Sequence, residues 1–149
     1  MTVRLPGEFE PHERTVICWP AREGLYGDRF ADAEEAHAKV ANEIVRFEPV
    51  AMLVNSHQVD RARTLCDPFV DVVPMEMDDA WFRDTGPIYV RDDSVESGRV
   101  ATDWIFNGWG NKFNPHDKDA TLAARWAEFN GDNVRSVSML SLIHISEPT

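Results

Sequence analysis

The chain is poor in cysteine, in basic residues and in long apolar runs, and each shortage closes a class of function. Two cysteines, Cys18 and Cys66, in 149 residues make no disulfide framework, and no Cys-x-x-Cys pair offers a zinc or redox site. A reduced, cytoplasmic setting fits best. Lys and Arg total 15 against 26 Asp and Glu, a formal net charge of −11. Nucleic-acid binding draws its affinity from clustered bases, so nucleic acid is not the expected partner. No uninterrupted apolar run approaches the roughly 20 residues that span a bilayer. The opening MTVRLPGEFEPHER lacks the apolar centre of a secretory signal, so no membrane partner is expected. His12, His37, His57 and His116 show neither His-x-x-x-His nor His-Glu-x-x-His spacing, which makes a zinc site a poor bet. The G-x-G-x-x-G and P-loop patterns are also missing, which removes support for nucleotide binding.

What is present is enough apolar matter for a core: 43% hydrophobic residues, 10% aromatic and five Trp, against the low hydrophobicity that keeps chains disordered. Thr15–Trp19 is β-branched and stopped by Pro20, so a strand is expected. Phe30, Ala33, Ala36, Val40, Ile44 and Phe47 recur at three-to-four spacing with Asp32, Glu34, Glu35, Lys39 and Arg46 on the other faces, which predicts a helix ended by Pro49. Val50–Val54 is continuously apolar, like a strand covered on both faces. A weaker helix over Gln58–Cys66 and a strand over Phe69–Val73 follow. After a polar loop from Glu76 to Pro87, Ile88–Arg91 and Val100–Phe106 read as a hairpin with a wide turn. Asn107–Asp117 is irregular, its G108-W-G110 a turn beside an aromatic. Asp119–Phe129 is a helix with Leu122, Trp126 and Phe129 on one face, and Val134–Met139 a last strand. Alternating strands and helices place the chain in the α/β class, without one clean βαβ period that would specify a doubly wound sheet.

The chemistry concentrates in Asp71–Asp93, where Asp71, Glu76, Asp78, Asp79, Asp84, Asp92 and Asp93 face only Arg83 and Arg91. Within D78-D-A-W-F-R-D-T-G-P87, Asp84 precedes Thr85, Gly86 and Pro87, residues that force a tight turn and fix its side chain where the loop feeds a strand. A carboxylate accepts two parallel N–H bonds from a planar guanidinium, and Trp81 supplies a stacking or cation–π surface. The plainer reading stays open: Asp84 pairs with Arg83 or caps a turn, Trp81 is core and the other acids are solvated. A calcium or magnesium loop fits less well, because the EF-hand alternation, its central Gly and its closing Glu are missing. Cys18 in an apolar strand and Cys66 at a helix end are expected to be buried small hydrophobes, not thiolates.

Three words in order, GEFEPHERTVICWP (Gly7–Pro20), DDAWFRDTGPIYV (Asp78–Val90) and DWIFNGWGNKF (Asp103–Phe113), resemble the N-terminal part of agmatine deiminases, in the bacterial peptidyl-arginine deiminase superfamily. The resemblance covers Gly7 to about Met139. It implies a partial pentein, a five-bladed α/β propeller of which this chain holds roughly the first two blades. It implies hydrolysis of agmatine to N-carbamoylputrescine and ammonia through a covalent Cys intermediate, with no metal or organic cofactor. By match to the family's W-x-R-D-x-G-P word, Asp84 is the catalytic carboxylate that grips the guanidinium, Trp81 the pocket wall, and Asp78 and Asp79 contributors to substrate binding. The implied partner is a small cationic guanidinium. Peptidyl arginine as substrate, a non-catalytic cation-binding module and a homo-oligomeric parent all stay open.

Two departures matter. The family's His-x-Asp word and its Gly-rich segment with the nucleophilic Cys have no counterpart here, so the chain itself is expected to be inactive. Where the family next has an acid and two glycines, this chain has L140-S-L-I-H-I-S-E-P-T149, which resembles a translated sequencing adapter. Residues 1–139 are therefore read as the N-terminal part of the catalytic domain and 140–149, His144 included, as a scar. The alternative is a genuine strand, SLIHI.

Overall fold

A computed structural model of the chain describes residues 2–140. Its elements in chain order are β1 (Val3–Arg4), β2 (Thr15–Cys18), α1 (Glu23–Tyr26), α2 (Phe30–Ile44), β3 (Val50–Val54), α3 (Val59–Leu65) and β4 (Asp71–Pro74). They continue with α4 (Phe82–Thr85), β5 (Ile88–Asp92), β6 (Arg99–Ile105), α5 (Gly108–Asn111), α6 (Leu122–Phe129) and β7 (Asn133–Leu140). The chain divides into two compact units, Pro11–Phe82 and Met1–Glu10 with Arg83–Thr149. Of the segment 140–149, only the Leu140 backbone at the end of β7 lies within the described residues.

The Pro11–Phe82 unit is a three-stranded parallel sheet in the order β2-β3-β4, with α2 and α3 in the two crossovers. Thr15 pairs with Val50 and Ala51 with Asp71. Every residue of β3 is buried, which is what its unbroken VAMLV sequence requires. Val50, Met52 and Val54 join Ala38 and Ala41 of α2, Ala62 of α3, Trp19 and Cys66 in one apolar cluster. Alanines at the contact let the helices approach the sheet closely, and each large side chain fully buried stabilises by about 1.5–3 kcal/mol. These are successive βαβ units, which the spacing of the sequence did not reveal.

The face that α2 buries differs from the expected one. Glu34, Ala38 and Ala41 are buried, whereas Val40 is 53% and Phe47 84% exposed. The cause is polar: the Glu34 carboxylate accepts from Trp19 Nε1 at 3.4 Å and Arg61 Nε at 3.0 Å. A paired acid can thus lie on the face of α2 that packs on the sheet, which leaves Val40 on the solvent side.

The other unit is a four-stranded sheet, β1-β5-β6-β7. The β5–β6 hairpin forms as expected, with Ile88 opposite Thr102 and Arg91 opposite Arg99. β7 runs parallel to β6, joined through α6, and the register shifts between Trp104 and Ile105, which pair with Val137 and Leu140. Leu122, Ala123, Trp126 and Ala127 form the buried face of α6; Phe129 is 56% exposed and stacks on Trp126. The strand expected over Phe69–Val73 is Asp71–Pro74, with Phe69 exposed. β1 and the single turns α4 and α5 fall in segments read as loops.

Candidate functional site

Parallel α/β sheets present functional loops at the C-terminal ends of their strands. In the Pro11–Phe82 unit these ends lead to Trp19, to Asn55 and to the segment after Pro74. That last segment is tied down residue by residue. Met75 N–H donates to Val54 O at 2.9 Å, and Met77 N–H to Asn55 Oδ1 at 2.7 Å. Ser56 N–H donates to Glu76 Oε1 at 2.9 Å. The Met75 and Met77 side chains are buried beneath it.

Asp79 completes the anchorage. Its side chain is 1% exposed and its Oδ2 accepts from Arg22 Nε at 2.9 Å, while the Arg22 side chain is 20% exposed. Oδ1 accepts the Ala80 N–H at 2.8 Å, so both oxygens are engaged. Burial, and then the nearby Asp79 charge, pushes the Tyr26 hydroxyl above its ordinary pKa. Gln58 Nε2 donates to Pro20 O at 3.0 Å, holding the segment from which Arg22 extends. Asp78 and Trp81 lie partly buried in this loop.

Asp84 belongs to the other unit, in the single helical turn α4 that leads through Gly86 and Pro87 into β5. It is partly buried and Thr85 beside it is buried. The structure therefore gathers Asp78, Asp79 and Trp81 in one anchored loop, and seats Asp84 three residues later at the entrance to the hairpin. Arg22 and Asn55 went unnoticed in the sequence. Asn55 had a signal, a polar residue directly after a buried parallel strand; Arg22, 57 positions from Asp79, had none.

The third word forms a left-handed turn. Gly108, Trp109, Gly110 and Asn111 have φ of 58°, 52°, 74° and 63°, and Asn107 Oδ1 accepts the Gly110 N–H at 3.0 Å. Trp109 holds this unfavourable conformation while meeting Phe106 and Phe113 edge-on, with centroids 5.2 and 5.6 Å apart. A Cβ on Gly108 would lie 2.6 Å from Phe113 O, so glycine is required by space as well as by φ.

Both cysteines are buried, and burial pushes the Cys66 thiol up to about 11, the opposite of activation. His37 Nδ1 lies 3.0 Å from Cys18 O, a backbone contact. Among the described residues no group of three or more His, Cys, Asp or Glu side chains is placed to hold a metal ion. No described helix is long and apolar enough to cross a membrane.

The sequence profile of the Porphyromonas-type peptidyl-arginine deiminases matches residues 4–142. The chain belongs to this family. It is 44% identical over 123 residues to agmatine deiminase of Stutzerimonas stutzeri, covering 82% of this chain and 31% of that protein. It is 44% identical over 130 residues to agmatine deiminase of Pseudomonas aeruginosa, covering 84% and 35%. Among solved structures, agmatine deiminase of Enterococcus faecalis superposes with a TM-score of 0.84 at 32% identity, over 91% of this chain and 38% of that one. The mixed α/β architecture is thus that of the deiminase family. The chain spans about a third of the length of these curated relatives.

Proposed function

We propose that this chain supplies the guanidinium-gripping part of an agmatine deiminase, a hydrolase acting on the C–N bond of an amidine. The reading is carried by the word W81-x-R83-D84-x-G86-P87 in a chain of this family, with Asp84 held in the turn that enters β5. In this reading the Asp84 carboxylate accepts two N–H bonds from the planar cation. Trp81, three residues earlier in the chain, is the aromatic wall. Asp78 adds negative potential, and Asp79, engaged by Arg22, holds the loop in shape.

The reaction implied is agmatine plus water giving N-carbamoylputrescine and ammonia, a cytoplasmic step toward putrescine that needs no metal or organic cofactor. A cysteine thiolate attacks the guanidinium carbon, ammonia leaves, and water releases the product from sulfur. Neither Cys18 nor Cys66 takes that part, since both are buried. The two α/β units are read as early repeats of a five-bladed propeller, the pentein fold. Relatives at 44% identity named agmatine deiminase favour the free amine over peptidyl arginine as substrate.

Turnover tests this reading. The chain alone should release no ammonia above a no-enzyme control. Grafted in place of the matching segment of the Stutzerimonas stutzeri enzyme, it should support agmatine hydrolysis, and Asp84→Asn in the graft should lower kcat/KM at least a hundredfold. An Asp84→Asn graft as active as its parent graft contradicts the assignment.

A further inference from the structure

A cavity of about 380 Å³ opens at the C-terminal ends of β6 and β7, lined by Asp103, Ile105, Phe106, Ala120, Ser136 and Ser138. It lies where the register shifts between Trp104 and Ile105; such irregularities re-aim side chains and part strand ends. Asp103 sits opposite Ser136 in the ladder, which puts the carboxyl and the hydroxyl on one face. The neighbouring wall is fixed, because Trp104 Nε1 donates to Thr102 Oγ1 at 2.7 Å and Thr102 Oγ1 donates to Ile88 O at 2.6 Å.

Asp103 differs from the other sheltered acids of its unit. Asp92 accepts from Ser94 and from Arg135, the latter at 2.9 Å. Asp132 accepts from Arg99 at 2.7 Å and from Tyr89 Oη at 2.7 Å. The Asp103 carboxyl makes no hydrogen bond or ion pair among the described residues, and partial burial pushes it above the usual range. Asp103 is half-buried at the cavity wall, so a cation entering the cavity can reach its carboxylate without first breaking a protein contact.

We propose that the Asp103 cavity is the subsite for the ammonium end of the substrate, making Asp103 the residue that selects aminoalkyl guanidines over guanidines without an amine. The proposal rests on the reading of Asp84 as the guanidinium carboxylate. The pairing of Ile88 with Thr102 carries on to place Pro87 beside Asp103, three residues after Asp84. With about 5 Å between paired Cα atoms and at most about 3.6 Å per residue of chain, the two aspartate Cα atoms lie within about 16 Å. A butyl linker with a cationic group at each end, added to the lengths of the two side chains, is long enough for that span. Ser136 and Ser138 offer hydroxyl acceptors to the remaining ammonium protons, and Ile105 an apolar wall for the methylenes.

Isothermal titration of the full chain with agmatine and with butylguanidine, which lacks the amine, tests this. The unsubstituted chain should bind agmatine at least tenfold tighter than butylguanidine. Asp103→Asn should abolish that preference while leaving the butylguanidine Kd within twofold, and Asp103→Glu, which keeps the charge, should retain it. Equal binding of the two ligands by the unsubstituted chain overturns the proposal without any variant. So does an Asp103→Asn chain that keeps the preference or weakens both ligands alike. Asp84→Asn separates the two assignments: unchanged butylguanidine affinity there overturns the Asp84 reading, and the proposal with it.

Discussion

Replacing Arg22 by Gln should destabilise the Pro11–Phe82 unit far more than replacing its partner Asp79 by Asn. The pair is lopsided, with Asp79 1% and Arg22 20% exposed. Removing one member of a buried ion pair leaves the other as an uncompensated charge, at about 3–5 kcal/mol; the partial exposure of Arg22 places Arg22→Gln at the lower end, about 3 kcal/mol. Asp79→Asn keeps the shape and the acceptor for Ala80 N–H, and the stranded guanidinium can turn to water. The loss is then one charged hydrogen bond, about 1.5 kcal/mol. Amide exchange at Met52 and Leu53, buried in β3, reads the stability of this unit directly. At tenfold per about 1.4 kcal/mol, Arg22→Gln should speed it roughly a hundredfold and Asp79→Asn about tenfold. Exchange within threefold of the unsubstituted chain in Arg22→Gln, or a larger effect from Asp79→Asn, refutes the anchoring argument.

Other expectations follow from single contacts. Gly108→Ala combines a left-handed φ with a Cβ 2.6 Å from backbone oxygen, whereas Gly110 has φ of 74° and open space. Gly110→Ala should cost about 1–2 kcal/mol and Gly108→Ala at least twice as much, and equal Tm values for the two would contradict the clash. With its thiol at about 11, Cys66 in the native chain should react with a thiol reagent at pH 8 at least about a hundredfold slower than free cysteine; a comparable rate would show that it is accessible. Glu10 accepts from Arg4 at 2.6 and 2.9 Å and from Gly7 N–H at 2.9 Å, which together bring its carboxyl down to about 2, Arg4 first. Its folded value lies below the unfolded value of about 4.3, so its contribution is complete above pH 4.3 and fades as pH falls toward 2. Amide protection of β1, corrected for intrinsic rates, should fade in that window; a flat profile counts against it.

The sequence made some features visible because their causes are local. VAMLV is apolar throughout since β3 is covered on both faces, and the β5–β6 hairpin showed as two apolar runs around a polar turn. The face of α2 was misread because Glu34 is made acceptable in the core by Arg61, 27 positions away. β1 is two residues long and exists through its partner, Asp92 opposite Val3. Asp84 and Trp81 stood out through the turn chemistry of Thr85, Gly86 and Pro87. Arg22 and Asp103 did not, since one is held in a remote ion pair and the other borders a cavity whose lining is brought together from separate elements.

The central claim is that Asp84 grips a guanidinium, and backbone and indole NMR shifts during an agmatine titration locate the cation most directly. Saturable shifts are expected at the Trp81 indole N–H and at the amides of residues 83–86, all lost in Asp84→Asn. Shifts confined to the Asp92 and Asp132 carboxylate clusters, or unchanged in Asp84→Asn, would contradict it.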